Sequence, residues 1–156
     1  KGEMVYTALG RQASPLVRFR SGDYIEVTAT ECPCGRTGPQ IRCIGRTDDM
    51  LIVRGANVFP SAINSVIAEM VPETNGVMRI VADFEGHTTQ RALKVIVERG
   101  PGRNPDDDGA LKAKIEQRLR DALVFKADVD LVAPDTFEKP GAAKVAFVLR
   151  KYPELP

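Results

Sequence analysis

Two apolar stripes at helical spacing constrain this chain more than any other feature. Ile63, Val66, Ile67 and Met70 recur at i, i+3, i+4 and i+7. Pro60 stands just ahead of them, at a first helical position where its missing N–H costs nothing. Leu111, Ile115, Leu119 and Leu123 form a second stripe, behind the acids Asp106, Asp107 and Asp108, which suit the positive end of a helix. Each stripe has one apolar face that must be covered. The material to cover them lies in β-prone runs: "GVMRIVADF" and "RALKVIVERG" around a turn at Glu85-Gly86-His87, then strands near 129–132 and 145–149. From about residue 46 the order is strand, helix, strand, strand, helix, strand, strand. That order predicts an α+β unit, with two helices packed on one face of a small, mostly antiparallel sheet.

Residues 1–44 carry no helical stripe and read as all-β. A strand is expected over 3–9, two more over 15–27 around a turn at Ser21-Gly22-Asp23, a loop through "ECPCGRTGPQ", and a short strand in "IRCIGR". The opening "KGEMVYTALG" reads as the middle of something, so a fragment of a longer protein is expected. Exposed β edges in such a fragment would encourage pairing between chains, a homodimer.

The charge balance narrows the partners. The chain has 156 residues, with 22 basic and 21 acidic side chains. Such a balance gives no global field for nucleic acid or an anionic membrane. No apolar run approaches the roughly 18 residues that span a bilayer. Three cysteines, an odd number, suit a reducing compartment, and a cytoplasmic location is expected. Cys32, Cys34 and Cys43 supply too few thiols, at too tight a spacing, for a structural zinc site, which wants four ligands. They read as free thiols. The acids at 106–108 give poor octahedral geometry for Mg²⁺ and read as a solvated helix start. No metal is expected on this chain.

Between the two regions lies "GRTDDMLIVRGANVFPSAI", residues 45–63. A core strand needs neither the paired acids nor the glycine, and a surface loop would not carry Met50, Leu51, Ile52 and Val53. Taken singly, its parts have bland readings. Asp23 upstream is a turn acid, Arg46 and Asp48 a surface ion pair, and Gly55 a turn glycine.

Taken in order, "SPLVRFRSGD", the Cys-x-Cys-Gly-Arg insert and residues 45–63 closely resemble the adenylate-forming enzymes: acyl-CoA synthetases, luciferases and peptide-synthetase adenylation domains. The Arg-Gly-x-Asn-Val-Phe-Pro run looks like phenylacetate–CoA ligase and its aryl-CoA relatives. The resemblance covers nearly the whole chain. It implies an enzyme that makes an acyl-adenylate from a carboxylic acid and ATP, then rotates a C-terminal lid and forms a thioester with CoA. It divides the chain into a β-subdomain remnant of the N-terminal adenylation domain (1–44), a hinge (45–49) and a lid (50–156). It assigns Asp23 to the AMP ribose, Arg46 to the nucleotide's ribose and phosphate side, and Asp48 to the hinge. It lines the CoA pantetheine path with Arg54, Gly55, Ala56, Asn57, Val58 and Phe59.

The last motif of such enzymes ends in Gly-Lys, whose lysine neutralises charge developing during adenylation. Here "DTFEKPGAAKVAFVLRK" follows Gly141 with Ala142. Lys144 is the catalytic candidate, because the strand "VAFVL" follows it, and Lys139 is the alternative. Phe147 stands where the relatives often have arginine. The glycine-rich phosphate loop, the acid pocket and the residues holding adenine and Mg²⁺ are absent from this sequence. ATP, Mg²⁺ and CoA are therefore expected with the full-length enzyme, an aromatic or aliphatic acid as its substrate, and neither ligand nor activity with this chain alone. Two other classes remain open: a non-catalytic ligase-like module that binds CoA, nucleotide or a protein, and a small ferredoxin-like sensor. The sensor leaves Asp23, Arg46 and the Asn57-to-Pro60 run unexplained.

Overall fold

A computed structural model describes residues 1–13, 15–29, 32–137 and 146–150. Lys139 and Lys144, the two candidate adenylation lysines, lie outside the described residues. The chain divides into two compact units, Lys1–Asp49 and Met50–Pro156.

The first unit is a three-stranded antiparallel sheet in the order β1 (Gly2–Tyr6), β2 (Phe19–Thr28), β3 (Gln40–Arg46). The expected pair of strands around Ser21-Gly22-Asp23 is instead one continuous strand. Glu3 pairs with Tyr24 and Val5 with Arg20, so Met4 alone faces Ser21, Gly22 and Asp23. The extra residues bulge outward. Gly22 makes this possible with φ +75°, a conformation that side chains resist. Ser21 Oγ donates to Met4 O at 3.2 Å and holds the bulge down. Ile25 is the one buried hydrophobic residue described in this unit, while Val5, Leu9, Val17, Phe19, Val27 and Ile41 are exposed.

The second unit is α+β. The expected single strand ending at Gly55 is a hairpin, β4 (Leu51–Val53) and β5 (Ala56–Val58), with Val53 opposite Ala56. Its two-residue turn needs positive φ at both positions, which Arg54 (51°) and Gly55 (85°) supply. Helix α1 (Pro60–Ala68) follows directly. Then come β6 (Thr74–Val81), the short β7 (Thr88–Thr89) beside β4, β8 (Leu93–Arg99), a 3₁₀ turn at Pro105–Asp107, α2 (Asp108–Leu123), β9 (Ala127–Val132) and β10 (Val148–Leu149).

The main sheet runs β10-β6-β8-β9. It is mixed rather than mostly antiparallel: β6 and β8 are antiparallel, whereas β8–β9 and β10–β6 are parallel. The reason is the connection. Helix α2 carries the chain back across the sheet between β8 and β9, and a crossover of that length returns the strand in the same direction. Both stripes are buried. Ile63, Val66, Ile67 and Met70 join Leu111, Ile115 and Leu119 over Met78, Ile80, Val95, Val97 and Val129 in one core, with Leu123 packed at its margin. Helix α1 packs on β6, α2 on β9, and the helices on each other. Among the described residues no helix is long and apolar enough to cross a membrane.

Candidate functional site

Three of the sequence-derived candidates meet in the first unit. Asp23 on β2 stands opposite Arg46 on β3. The Arg46 guanidinium donates Nε to Asp48 Oδ1 and Nη2 to Asp48 Oδ2, each at 2.9 Å, a bidentate fork. Its Nη1 reaches Asp23 Oδ1 and Ser21 O, both at 3.4 Å. Asp48, and with it the charges of Asp23 and Asp49, tighten the guanidinium's hold on its proton. The bulge glycine lies directly beneath: a Cβ on Gly22 would sit 2.7 Å from Arg46 Nη2. Thr47 ties the far side, donating its N–H and hydroxyl to Gly22 O at 2.7 and 3.1 Å. The side chains are accessible, with Arg46 36% exposed, Asp23 37% and Asp48 61%. The Ser-Gly-Asp bulge therefore presents a carboxylate and a clamped guanidinium side by side at the surface. One can accept from hydroxyls and the other can donate to anionic oxygens.

The residues Arg54 to Phe59 are brought together by the β4–β5 hairpin but face two ways. Val58 and Phe59 are buried, Val58 within the apolar core, and Phe59 leads into α1. Arg54, Gly55 and Asn57 are exposed. Arg54 is tethered to the strand beyond, its N–H to Thr89 O and its Nε to Gln90 O, each at 2.9 Å.

Around Cys32 a tight turn, closed by Gly35 N–H on Cys32 O at 2.9 Å, brings the Cys32 and Cys34 sulfurs to 2.7 Å. The Cys32 thiol, helped by the Arg36 backbone N–H, lowers the pKa of Cys34. Cys43 is on β3, and all three are free. The described residues contain no group of three or more His, Cys, Asp or Glu side chains able to hold a metal. Of the acids at 106–108, Asp108 pairs with Arg99 at 3.1 Å, and Asp106 N–H caps onto Asn104 at 3.2 Å.

Sequence reasoning missed one polar cluster. Glu98, at the end of β8, is 1% exposed. It accepts from Asn75 and from the backbone N–H groups of Asp135 and Phe137. Nearby Arg79, on β6, is also buried, and its guanidinium lies 5.0 Å from the Phe137 ring centroid. Burial lowers the Arg79 pKa, and the charge of Glu98 opposes that shift. The available signal was an acid closing the apolar run "LKVIVE", where a strand end at the surface would have left it solvated.

The profile of the AMP-binding enzyme C-terminal domain matches residues 55–149, more than half of the chain. The chain belongs to that family. A phenylacetate-coenzyme A ligase of Thermus thermophilus is 33% identical over 95% of this chain and 36% of its own length. Crystal structures of a 2-hydroxyisobutyryl-CoA ligase are 32% identical over 94% of this chain and 31% of theirs. In the postadenylation state with 2-HIB-AMP the TM-score is 0.83, and in the thioesterification state with 2-HIB-AMP and CoA it is 0.57. The chain thus spans about a third of the length of the curated relatives it matches. Within this AMP-binding C-terminal family, the matched region starts at the turn glycine of the β4–β5 hairpin and ends in β10.

Proposed function

We propose that this chain is the C-terminal part of an ATP-dependent acid–CoA ligase, which forms an acyl-adenylate and then a thioester with CoA. The observation that carries the reading is the match to phenylacetate-coenzyme A ligase along almost the entire chain. An aromatic acid is the nearest substrate class. Residues 1–44 contribute the edge of the larger domain, 45–49 the hinge and 50–156 the lid. Asp23 accepts from the ribose hydroxyls of the nucleotide, and Arg46 donates to its ribose and phosphate side. The exposed face of the hairpin, Arg54, Gly55 and Asn57, borders the pantetheine of CoA. Lys144 neutralises the charge that develops on the α-phosphate and acyl carboxylate, with Lys139 as the alternative. The Mg²⁺ that accompanies ATP is assigned to no residue of this chain, because no described group of acids fits it. The chain alone is inactive and works in the cytoplasm as part of the longer enzyme.

The hinge at Asp48 draws support from the relative. One fixed backbone cannot score 0.83 and 0.57 against two copies of a rigid segment, so that ligase changes shape between its two states within the matched region. A hinge concentrates such a change in a few residues.

ATP–pyrophosphate exchange by the full-length protein, over a panel of aryl and alkyl acids, tests the reading. Acid-dependent exchange is expected. Its absence with every acid would favour a non-catalytic ligase-like module, a reading to which the replacement of the usual Gly-Lys by Gly141-Ala142 lends weight.

A further inference from the structure

A buried carboxylate is expensive unless each lone pair finds a donor. Glu98 has donors on both oxygens: Oε1 accepts from Phe137 N–H at 2.6 Å, and Oε2 from Asp135 N–H at 3.1 Å and from the Asn75 side chain. Asn75 is itself oriented, since its Oδ1 accepts from Val77 N–H at 3.0 Å. The same short segment is gripped a second time by Arg79 against the Phe137 ring. Ten residues further along, Phe147 O accepts from Ile80 N–H at 2.8 Å and Leu149 O from Ala82 N–H at 2.9 Å. Strand β6, which carries Arg79, Ile80 and Val81, thus helps to hold the chain both at Phe137 and at Phe147. Lys139 and Lys144 fall between these two points in the sequence.

Packing alone does not call for this arrangement. Replacing a buried ionic group by an apolar side chain of similar size is often neutral or stabilising. A leucine or methionine closing "LKVIV" would serve a purely structural strand end. A carboxylate there does what an apolar side chain cannot: it accepts from two backbone N–H groups of one loop, those of Asp135 and Phe137, and fixes them in one geometry. Asp135 takes a left-handed φ of 60° in doing so.

We propose that Glu98 is a positioning residue for the adenylation half-reaction, holding the backbone at Asp135 and Phe137 from which the lysine-bearing chain departs. The inference rests on the ligase reading above. Glu98→Gln tests it with almost no change in size. The new amide nitrogen must face either Phe137 N–H, or Asp135 N–H and the Asn75 amide. Asn75 cannot turn its oxygen inward without abandoning Val77. One loop N–H is therefore left opposed by another donor. Asn75→Ala removes a single donor and leaves both loop bonds.

In the full-length enzyme, Glu98→Gln is expected to lower kcat for pyrophosphate exchange by about 10–100-fold, the scale of a misplacement transmitted from outside the chemistry. The KM for ATP and thioester formation from supplied acyl-adenylate should be nearly unchanged, and Asn75→Ala should be milder. Loss of fold would lower both half-reactions together, so an equal fall in the two overturns the proposal. Unchanged exchange in Glu98→Gln, beside a wild type that turns over, overturns it while the ligase reading stands. A wild-type enzyme with no exchange at all removes both.

Discussion

The tightest geometric demand in the Asp23–Arg46–Asp48 cluster falls on Gly22, and Gly22→Ala tests it. Two costs can be worked out. A φ of +75° puts an alanine in the left-handed region, which costs about 1–2 kcal/mol. The new Cβ would also lie 2.7 Å from Arg46 Nη2, so the guanidinium must retreat by roughly 0.7 Å to reach ordinary contact near 3.4 Å. Because the obstacle is the far end of a flexible side chain, that retreat itself is cheap. Its effect on geometry is not. The two Asp48 hydrogen bonds start at 2.9 Å, and a shift of that size carries them past the roughly 3.2 Å limit of a good N–H···O bond. The clamp that aims Arg46 is lost while the second unit, Met50–Pro156, keeps its core. In the full-length enzyme the expected result is a rise in KM for ATP and a fall of about 10-fold or more in kcat/KM for pyrophosphate exchange, from losing one oriented donor. The melting temperature should fall by only a few degrees. If Gly22→Ala exchanges pyrophosphate as well as wild type, Arg46 is not aimed at the nucleotide by the bulge, and its contacts are those of a surface ion pair.

Four other outcomes are expected. Asp48→Pro in the full-length enzyme fixes φ near −65° and should impair one half-reaction more than the other, and by more than Asp48→Ala, which removes the same carboxylate and with it the clamp on Arg46; equal losses in the two variants would exclude a hinge there. Lys144→Ala should cut adenylation by about 10²–10³-fold and spare thioester formation, with Lys139→Ala near wild type; the reverse pattern in pyrophosphate exchange would move the assignment to Lys139. Val124 ends α2 with φ 56° and is 80% exposed, so Val124→Asn should stabilise the chain by up to about 1 kcal/mol in a urea melt, because asparagine tolerates that conformation and no packing is lost. The 156-residue chain alone should form no AMP from ATP with any aryl acid, read by chromatography of the nucleotides.

Helical periodicity is local information, and it sufficed for both helices. The stripes at Ile63–Met70 and at Leu111, Ile115 and Leu119 are buried as their spacing demands, because a one-faced helix has no other way to shield that face. The motif around residues 45–63 likewise pointed to the AMP-binding C-terminal family without any coordinates. Strand direction was not legible, since an isolated β run carries no mark of its partner's polarity; the crossover through α2 decided that β8 and β9 run parallel. Nor was the fate of Ser21-Gly22-Asp23. Those residues suit a turn and a bulge equally, and only pairing with β1 and β3 kept the strand continuous and set Asp23 beside Arg46. That Val58 and Phe59 are buried was not legible either, since within the motif only the hairpin and the helix after it set which side chains meet the core. Glu98 was the least legible of all. Its donors come from positions 75, 135 and 137, far apart along the chain, and a buried charge is tolerable only once tertiary structure has gathered such partners around it.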